Sequence, residues 1–473
     1  MILTLDLGTS RVKAALWEEE GLVDLAEVGL RTDTPTAGAR EQDPATWWAA
    51  VAAACTALGN RGPVRRLGAV TAVVCTGARQ TFGLFDAAGA PIGPGILWSD
   101  GRATAGSGGP VGPGGAVSVA DRLAWVSAHR GADLARSAWI LAPRDLVAWR
   151  LTGSVATDPS LASLTGCYRG DGTVVDAVGG RVADRLPPVV PSTAVTGTTR
   201  PDTGAELGLR PGVPVVIGAG DRQCEVLGTG ATAGRPMVSW GTTANVSLPV
   251  DAVADPGPDG VLATVSATGG WQLEGGLSAA GSFLDWLGRL CGRSPDELAR
   301  MAAASPPGAR GVTAVPWLGG ARAPWWRPGA AAGFVGLTDS HGPADLARAV
   351  FESVAADIRR CLGLMAGRQP PGPTVVELGL AGGGAATSAW VTVLTGTTGL
   401  PARWRRSGQA ASAGAALLGS QALGGGWDLE GMDPVAGTAG PDADGVRRYA
   451  EQTGHADRVA AALVDLEPPA VGR

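Results

Sequence analysis

Ile2-Leu3-Thr4-Leu5-Asp6-Leu7-Gly8-Thr9-Ser10 opens the chain, and Met237-Val238-Ser239-Trp240-Gly241-Thr242-Thr243 repeats its design 233 positions later. In both stretches apolar residues lead into Gly-Thr-(Ser/Thr). Both are followed by another strand-like run, Val12 to Trp17 and Asn245 to Val250. Such a turn presents backbone N–H groups and hydroxyls to an anionic oxygen. One turn in each half predicts two similar domains gripping one polyphosphate, and so an ATP-using phosphotransferase.

A chain of 473 residues is too long for one core and predicts two domains. With 45% hydrophobic and 17% charged residues it can bury both cores. A formal net charge of −5 gives no basic face for nucleic acid. The cysteines at 55, 75, 167, 224, 291 and 361 are widely spaced, and the three histidines are equally scattered. No disulfide framework or zinc site is readable, so a reducing cytoplasm is expected. The start, Met-Ile-Leu-Thr-Leu-Asp, lacks a basic leader, and no run of about 18 apolar residues predicts a membrane span. Glycine supplies 74 residues, so a bare glycine triplet such as Gly382–Gly384 carries little weight alone.

The pattern predicts a three-strand meander over 2–30 and a helix from Pro44 to Leu58, with Trp47, Trp48, Val51 and Leu58 on or near one face. Ala69–Cys75 reads as a buried strand and 103–116 as a mobile surface loop. Leu123–His129 and Asp133–Leu151 read as helices, and Val213–Ile217 as a strand. In the second half, strand and turn come at 237–243. Helices follow near 279–291 and at 343–366, then a strand at Val375–Leu380 and a helix from Ser388. The last forty or so residues read as a surface-wrapping tail. Strands followed by helices in two halves predict α/β architecture with a mixed sheet in each half, 1–229 and 230–473, and a ligand between them.

Asp6 closes a buried strand just before the phosphate turn. A carboxylate there repels phosphate unless a Mg²⁺ ion, held through water, lies between them; otherwise it caps its own turn. Asp221 follows Val215-Val216-Ile217-Gly218-Ala219-Gly220, where small residues let a substrate approach the backbone. It is placed to accept the proton of an attacking hydroxyl. Locally, an ordinary turn aspartate paired with Arg222 explains it as well.

Several segments decide between these readings. Asp6-Leu7-Gly8-Thr9-Ser10-Arg11-Val12-Lys13 resembles the first phosphate hairpin of the FGGY carbohydrate kinase family. Glu41-Gln42-Asp43-Pro44 with Trp47-Trp48 resembles the following helix start. Ile96-Leu97-Trp98-Ser99-Asp100-Gly101-Arg102 resembles that family's Trp-Asn-Asp-x-Arg segment near the sugar. Thr157-Asp158-Pro159-Ser160, Gly218–Asp221 and Ser239–Thr243 follow in family order. Gly333–Thr338 with His341–Ala349 is close to xylulokinases. Gly382-Gly383-Gly384-Ala385, with Trp390 and Gly414-Ala415-Ala416, resembles the adenosine loop and its partner helix. The match spans roughly residues 1–425.

The resemblance implies the two-domain actin, hexokinase and Hsp70-like (ribonuclease H-like) fold, with a mixed sheet in each domain and an interdomain cleft. It implies ATP and Mg²⁺ as cofactors and a small carbohydrate as acceptor: a ketose such as xylulose, a polyol or a sugar acid. Asp221 would be the base and Asp6 would act at the Mg²⁺ end. Gly8, Thr9, Ser10, Lys13, Gly241 and Thr242 would hold phosphates. Gly383, Gly384 and Ser388 would lie under adenine and ribose. Arg79, Gln80, Asp100 and Asp221 would face the substrate. A homodimer is compatible with this reading.

The sugar side departs from xylulokinases. Ala78-Arg79-Gln80-Thr81 stands where they carry Gln-Met-His-Gly, and is more like the Arg-Glu-Thr of glycerol kinases. Arg79 offers five fixed donors, and Gln80 both donates and accepts. Leu161 stands where Asn or Asp is common, and Ala321 where Glu usually precedes Arg322-x-Pro324. Trp325 and Trp326 either stack on a sugar face or a partner protomer, or pack internally. Two other functions compete. One is a kinase-fold sensor of sugar or nucleotide with weak turnover; such a sensor would be expected to lose the base, and Asp221 is kept. The other is an actin- or Hsp70-type ATPase, whose branches lack segments like 96–102 and 333–349.

Overall fold

The computed structural model describes residues 1–59, 66–103, 106, 117–175, 179–253, 260–367 and 374–466. The chain forms two compact units. The first comprises Met1–Gly228, Thr264–Gly269 and Gln409–Pro434; the second comprises Thr229–Ala263, Gly270–Gly408 and Val435–Arg473.

The first unit is built on a six-stranded mixed sheet. Its order is Gly21–Gly29, Arg11–Glu18, Ile2–Leu7, Ala72–Gly77, Pro214–Val216, Val195–Thr198. Ile2–Leu7 pairs antiparallel with Arg11–Glu18 and parallel with Ala72–Gly77. Its residues alternate between two cores, as the period of a strand demands. Leu3, Leu5 and Leu7 pack with Trp47, Val51 and Leu58 of the Ala45–Gly59 helix and with Leu146 and Val147 of the Pro143–Thr152 helix. Ile2, with Val74 and Val216, packs against Ala413, Ala416 and Leu418 of the Ala410–Ala422 helix. On that second face Thr4 Oγ1 and Ser412 Oγ share a hydrogen bond of 2.6 Å, and Trp17 Nε1 donates to Ser412 Oγ at 2.8 Å.

Glycines bring the Ala410–Ala422 helix onto its neighbour, Asp221–Thr229. A Cβ on Gly414 would stand 1.9 Å from Cys224 O, and one on Gly228 would stand 1.9 Å from Ala410 O. The backbones therefore touch where side chains would normally separate them. This crossing ties residues 409–434 to a unit whose six-stranded sheet lies wholly within residues 2–216.

The second unit repeats the topology. Its sheet runs Leu262–Val265, Trp271–Gly276, Ala244–Val250, Met237–Trp240, Leu378–Ala381, Ala402–Arg405, Val435–Ala439. Met237–Trp240 pairs antiparallel with Ala244–Val250 and parallel with Leu378–Ala381, as Ile2–Leu7 does with its own neighbours. In both units a second parallel strand follows and an antiparallel strand closes the edge. The helix Pro343–Ala366 supplies the largest share of this unit's core, with Val350, Phe351, Val354 and Ile358 fully buried.

Two sequence expectations are corrected. The helix expected over 133–151 is interrupted: Gly131–Arg136 and Pro143–Thr152 are helical, with the strand Trp139–Leu141 between them. Pro143 has no N–H to continue a helix and starts a new one instead. Trp139–Leu141 pairs with Gly83–Phe85, a partner too distant in sequence for local pattern to reveal. The expected surface tail instead contributes the edge strand Val435–Ala439 and the helix Ala443–Leu463. Tyr449 anchors that helix, donating to Glu352 Oε1 at 2.9 Å and lying against Gly396, where a Cβ would be 2.9 Å from its ring. The loop expected at 103–116 lies outside the described residues except for Ala103 and Gly106. Among the described residues no helix is long and apolar enough to cross a membrane.

Candidate functional site

Asp6 stands opposite Lys13 in the antiparallel register and beside Thr76 in the parallel one. Its Oδ1 is buried and has no hydrogen-bond partner among the described residues. Burial, and next the Asp221 carboxyl, push Asp6 up to about 7, and Lys13 pulls it back only in part. Lys13 Nζ donates to Gln409 Oε1 at 2.9 Å and lies 3.4 Å from Glu27. An orphaned buried acceptor of this kind suits a hydrated cation, and no cluster of three or more His, Cys, Asp or Glu able to hold a metal occurs among the described residues. Asp6 would be the protein carboxylate for such a cation, and these groups fit Mg²⁺ in that role.

The hairpin turn beyond Asp6 is held from outside. Thr9 O accepts from Gln42 Nε2 at 2.7 Å, and Thr9 Oγ1 accepts from Trp98 Nε1 at 3.0 Å. The Thr9 hydroxyl hydrogen is left to point elsewhere. Ser10 is exposed, and Gly8 sits where a Cβ would stand 3.1 Å from Arg11 O.

Asp221 begins the Asp221–Thr229 helix, and its Oδ1 accepts from Arg222 N at 2.7 Å. Its side chain remains 39% exposed. The surrounding protein still raises its carboxyl above the usual carboxylate range through desolvation, opposed by Arg79 and Arg222. It is thus a carboxylate that water and a small substrate can reach. Gly218 precedes it at φ +71°, where a Cβ would lie 1.8 Å from Cys75 O.

Arg79 Nε stands 3.8 Å from Asp221 Oδ1, so the turn at 78–81 and the proposed base share one neighbourhood. Gln80, at φ 59°, donates its amide to Leu164 O at 3.1 Å. Asp100 behaves differently. It is 3% exposed and accepts from Arg40 N at 2.8 Å, Arg102 N at 3.1 Å and the Arg102 guanidinium at 2.7 Å. Burial alone would raise this carboxyl, but the Arg102 and Arg40 hydrogen bonds hold it below its ordinary value. Arg102 also pairs with Glu41 at 2.6 Å and lies 4.3 Å from the Trp125 ring centroid. Asp100 is therefore the hub of a clamp, with its lone pairs turned to protein donors.

In the second unit, Gly241 and Thr242 form the turn after Met237–Trp240. Their carbonyls are gripped by the start of the Gly281–Cys291 helix: Gly281 N donates to Gly241 O and Ser282 N to Thr242 O, both at 3.0 Å. Trp240 joins this turn to the glycine triplet. A Cβ on Gly382 would stand 2.3 Å from Trp240 O, and one on Gly384 would stand 2.3 Å from the Trp240 ring. Gly384 is thus required by indole packing, whereas Gly383 has open space beside it. Ser388 is exposed at the start of the Ser388–Thr398 helix.

The two tryptophans at 325 and 326 pack internally. Trp325 Nε1 donates to Asp357 Oδ1 at 2.9 Å, and Trp326 Nε1 to Gly260 O at 3.0 Å. Leu161 and Ala321 are both buried. Sequence reasoning missed Arg144, which is fully buried and donates to Gly218 O at 2.9 Å and Asp158 Oδ1 at 2.8 Å. The Thr157–Ser160 segment was the one available signal for this cluster, and it pointed to no partner.

The chain is similar over most of its length to known proteins. The N-terminal domain of the FGGY family of carbohydrate kinases matches residues 1–107 and 116–228, and the C-terminal domain of that family matches 236–423. The xylulose kinase of Klebsiella pneumoniae is 31% identical, covering 96% of this chain and 97% of its own. The gluconokinase of Bacillus subtilis strain 168 is 25% identical, covering 95% and 93%. The crystal structure of ligand-bound xylulose kinase from Lactobacillus acidophilus superimposes with a TM-score of 0.87 at 20% identity, covering 98% and 99% of the two chains. At that identity it supports the fold, which is the actin-like one of sugar kinases.

Proposed function

Because the chain belongs to the FGGY family of carbohydrate kinases, and is itself a carbohydrate kinase that uses ATP, we propose that it phosphorylates a hydroxyl of a small ketose, polyol or sugar acid with Asp221 as general base. The observation that carries this reading is a pair of carboxyls. Asp6, raised first by burial and next by Asp221, has a buried oxygen with no hydrogen-bond partner among the described residues, and Asp221 stays partly open to solvent.

In the proposed reaction the acceptor hydroxyl oxygen bonds to the γ-phosphorus as the bond from that phosphorus to the β,γ-bridging oxygen breaks. The hydroxyl proton passes to an Asp221 oxygen, and ADP departs. The transition state for phosphoryl transfer is loose, so orientation and charge neutralisation supply most of the acceleration. Arg79, beside Asp221, is assigned to the acceptor; Gln80 contributes less, because its amide donates to Leu164 O. Asp6 would hold Mg²⁺ through water, and that ion would neutralise phosphate charge. N–H groups and hydroxyls of each Gly-Thr hairpin are assigned to phosphate oxygens: Gly8, Thr9 and Ser10 with Lys13 in one unit and Thr242 in the other, where the Gly241 N–H already donates to Thr243 O at 2.8 Å. Gly383 and Ser388 are assigned to the nucleoside. Asp100 is withdrawn from direct substrate contact to a supporting role. A reducing cytoplasm suits its free thiols.

The test is ADP release, with Mg²⁺, over xylulose, gluconate, glycerol and related acceptors, in the natural chain and in Asp221→Asn. The reading expects one acceptor class to dominate and Asp221→Asn to lose about 10²–10⁴-fold in turnover with nucleotide affinity kept. Near-normal turnover in Asp221→Asn overturns the base assignment. Binding of sugar and nucleotide with no turnover by the natural chain replaces the reading with that of a sensor.

A further inference from the structure

The turn that delivers Asp221 is Gly218-Ala219-Gly220, the most permissive backbone a sequence can place there. Its conformation is held by side-chain and backbone groups from elsewhere in the first unit, including a parallel bridge between Gly220 and Gly77. Gly218 O accepts from Arg144 Nη1 at 2.9 Å, and Gly220 N donates to Ser160 Oγ at 2.8 Å. Gly218 N donates to Ser192 O at 3.0 Å.

These holders form one cluster. Arg144 Nη1 also donates to Asp158 Oδ1 at 2.8 Å, and Arg144 Nη2 to Asp145 Oδ1 at 2.6 Å. Asp158 accepts from Ser160 N at 3.0 Å, Leu161 N at 3.3 Å and Ser192 Oγ at 2.8 Å. Arg144, Asp158 and Ser160 are all 0% exposed. Asp145 and Asp158 outweigh the desolvation of Arg144, which stays charged.

A buried ion cluster is weak evidence for stability, since apolar residues of similar volume often serve as well. What apolar residues cannot do is grip a carbonyl and an N–H in fixed directions. This cluster grips both, within four residues of Asp221. The turn cannot substitute for this grip with bulk of its own, because a Cβ on Gly218 would overlap Cys75 O and one on Gly220 would stand 2.9 Å from Arg79.

We propose that Arg144, Asp158 and Ser160 are positioning residues for the general base, acting on Asp221 through the peptide groups of Gly218 and Gly220. The proposal rests on the reading of Asp221 as the base. A carboxylate displaced by about 1 Å loses its alignment with the acceptor hydroxyl, at a cost near 10²-fold in rate.

Arg144→Lys risks misfolding, so the test uses Ser160→Ala, which removes one acceptor oxygen, in the natural and Asp221→Asn backgrounds. Turnover is measured with Mg²⁺, ATP and whichever of xylulose, gluconate or glycerol reacts fastest, with thermal midpoints recorded. The proposal expects Ser160→Ala to lower kcat about 10- to 100-fold with the KM for ATP unchanged, and to cause no further loss once Asp221 is Asn. Ser160→Thr, which keeps the oxygen, should recover most of the rate. Equal fold-losses in both backgrounds, or an unchanged kcat in Ser160→Ala, overturn the positioning role while leaving Asp221 as the base. Near-normal turnover in Asp221→Asn alone overturns the base assignment itself.

Discussion

Arg79 reaches Asp221 by lying across Gly220: its Nε is 3.8 Å from Asp221 Oδ1, and a Cβ on Gly220 would come within 2.9 Å of its Cγ and Cδ. A cation resting on a bare backbone beside a carboxylate is a way to bring together the two groups proposed to face the substrate. The arrangement moderates Asp221, because Arg79 opposes the desolvation that raises its carboxyl.

Arg79→Ala should raise the KM for the acceptor about tenfold and leave ATP affinity nearly unchanged. Gly220→Ala should raise the same KM, because the new methyl would come within 2.9 Å of the Arg79 side chain and within 2.8 Å of the buried Gln223 Oε1. Acceptor-saturation kinetics beside nucleotide titration will check both. Unchanged acceptor kinetics in Arg79→Ala would show that this turn does not face the sugar.

Asp6 makes stability depend on pH. The folded chain keeps its proton up to about pH 7, whereas the unfolded chain releases it near 3.8, so the folded form binds more protons between those values. Nucleotide-free stability should therefore fall as pH rises from 4 to 7. Asp6→Asn should remove that fall and be more stable at pH 8 by about 1–3 kcal/mol, with little difference at pH 4. Thermal midpoints of both proteins across pH 4–8 decide it; parallel curves would mean that Asp6 is ionised throughout.

Asp100→Asn should behave as a lesion in a scaffold. It would leave the Arg102 guanidinium with Glu41 as its remaining carboxylate. Breaking such a buried pair should cost about 2–4 kcal/mol in urea unfolding. An unchanged unfolding midpoint with a raised acceptor KM would return Asp100 to the substrate-binding role expected from sequence.

Gly414→Ala should destabilise by more than about 2 kcal/mol, since its Cβ would lie 1.9 Å from Cys224 O, a backbone atom within a helix. Calorimetry will show whether the first unit's transition moves down. An unshifted transition would mean that the two helices can separate freely.

The local motifs were legible where chemistry and chain sequence run together. Asp6 at the end of its strand, the two Gly-Thr turns and Asp221 after its small-residue turn all lie within a few residues of the features that identify them. The Asp133–Leu151 stretch misled because its apolar spacing suits a helix, while pairing of Trp139–Leu141 with Gly83–Phe85 depends on residues more than fifty positions away. Trp325 and Trp326 were ambiguous for the same reason, as their indole N–H groups are satisfied by Asp357 and Gly260.

By itself the sequence determined the duplicated plan and the chemical groups available, because strand period, glycine turns and carboxylate placement are local properties of a chain. Tertiary structure decided which of those groups remain available for chemistry. Asp100 is consumed by Arg40 and Arg102, Gly384 by the Trp240 ring, and the Asp221 turn is gripped by Arg144 and Ser160. Each of these outcomes depends on hydrogen bonds or close contacts between residues far apart in the chain, which only folding brings within a few ångströms.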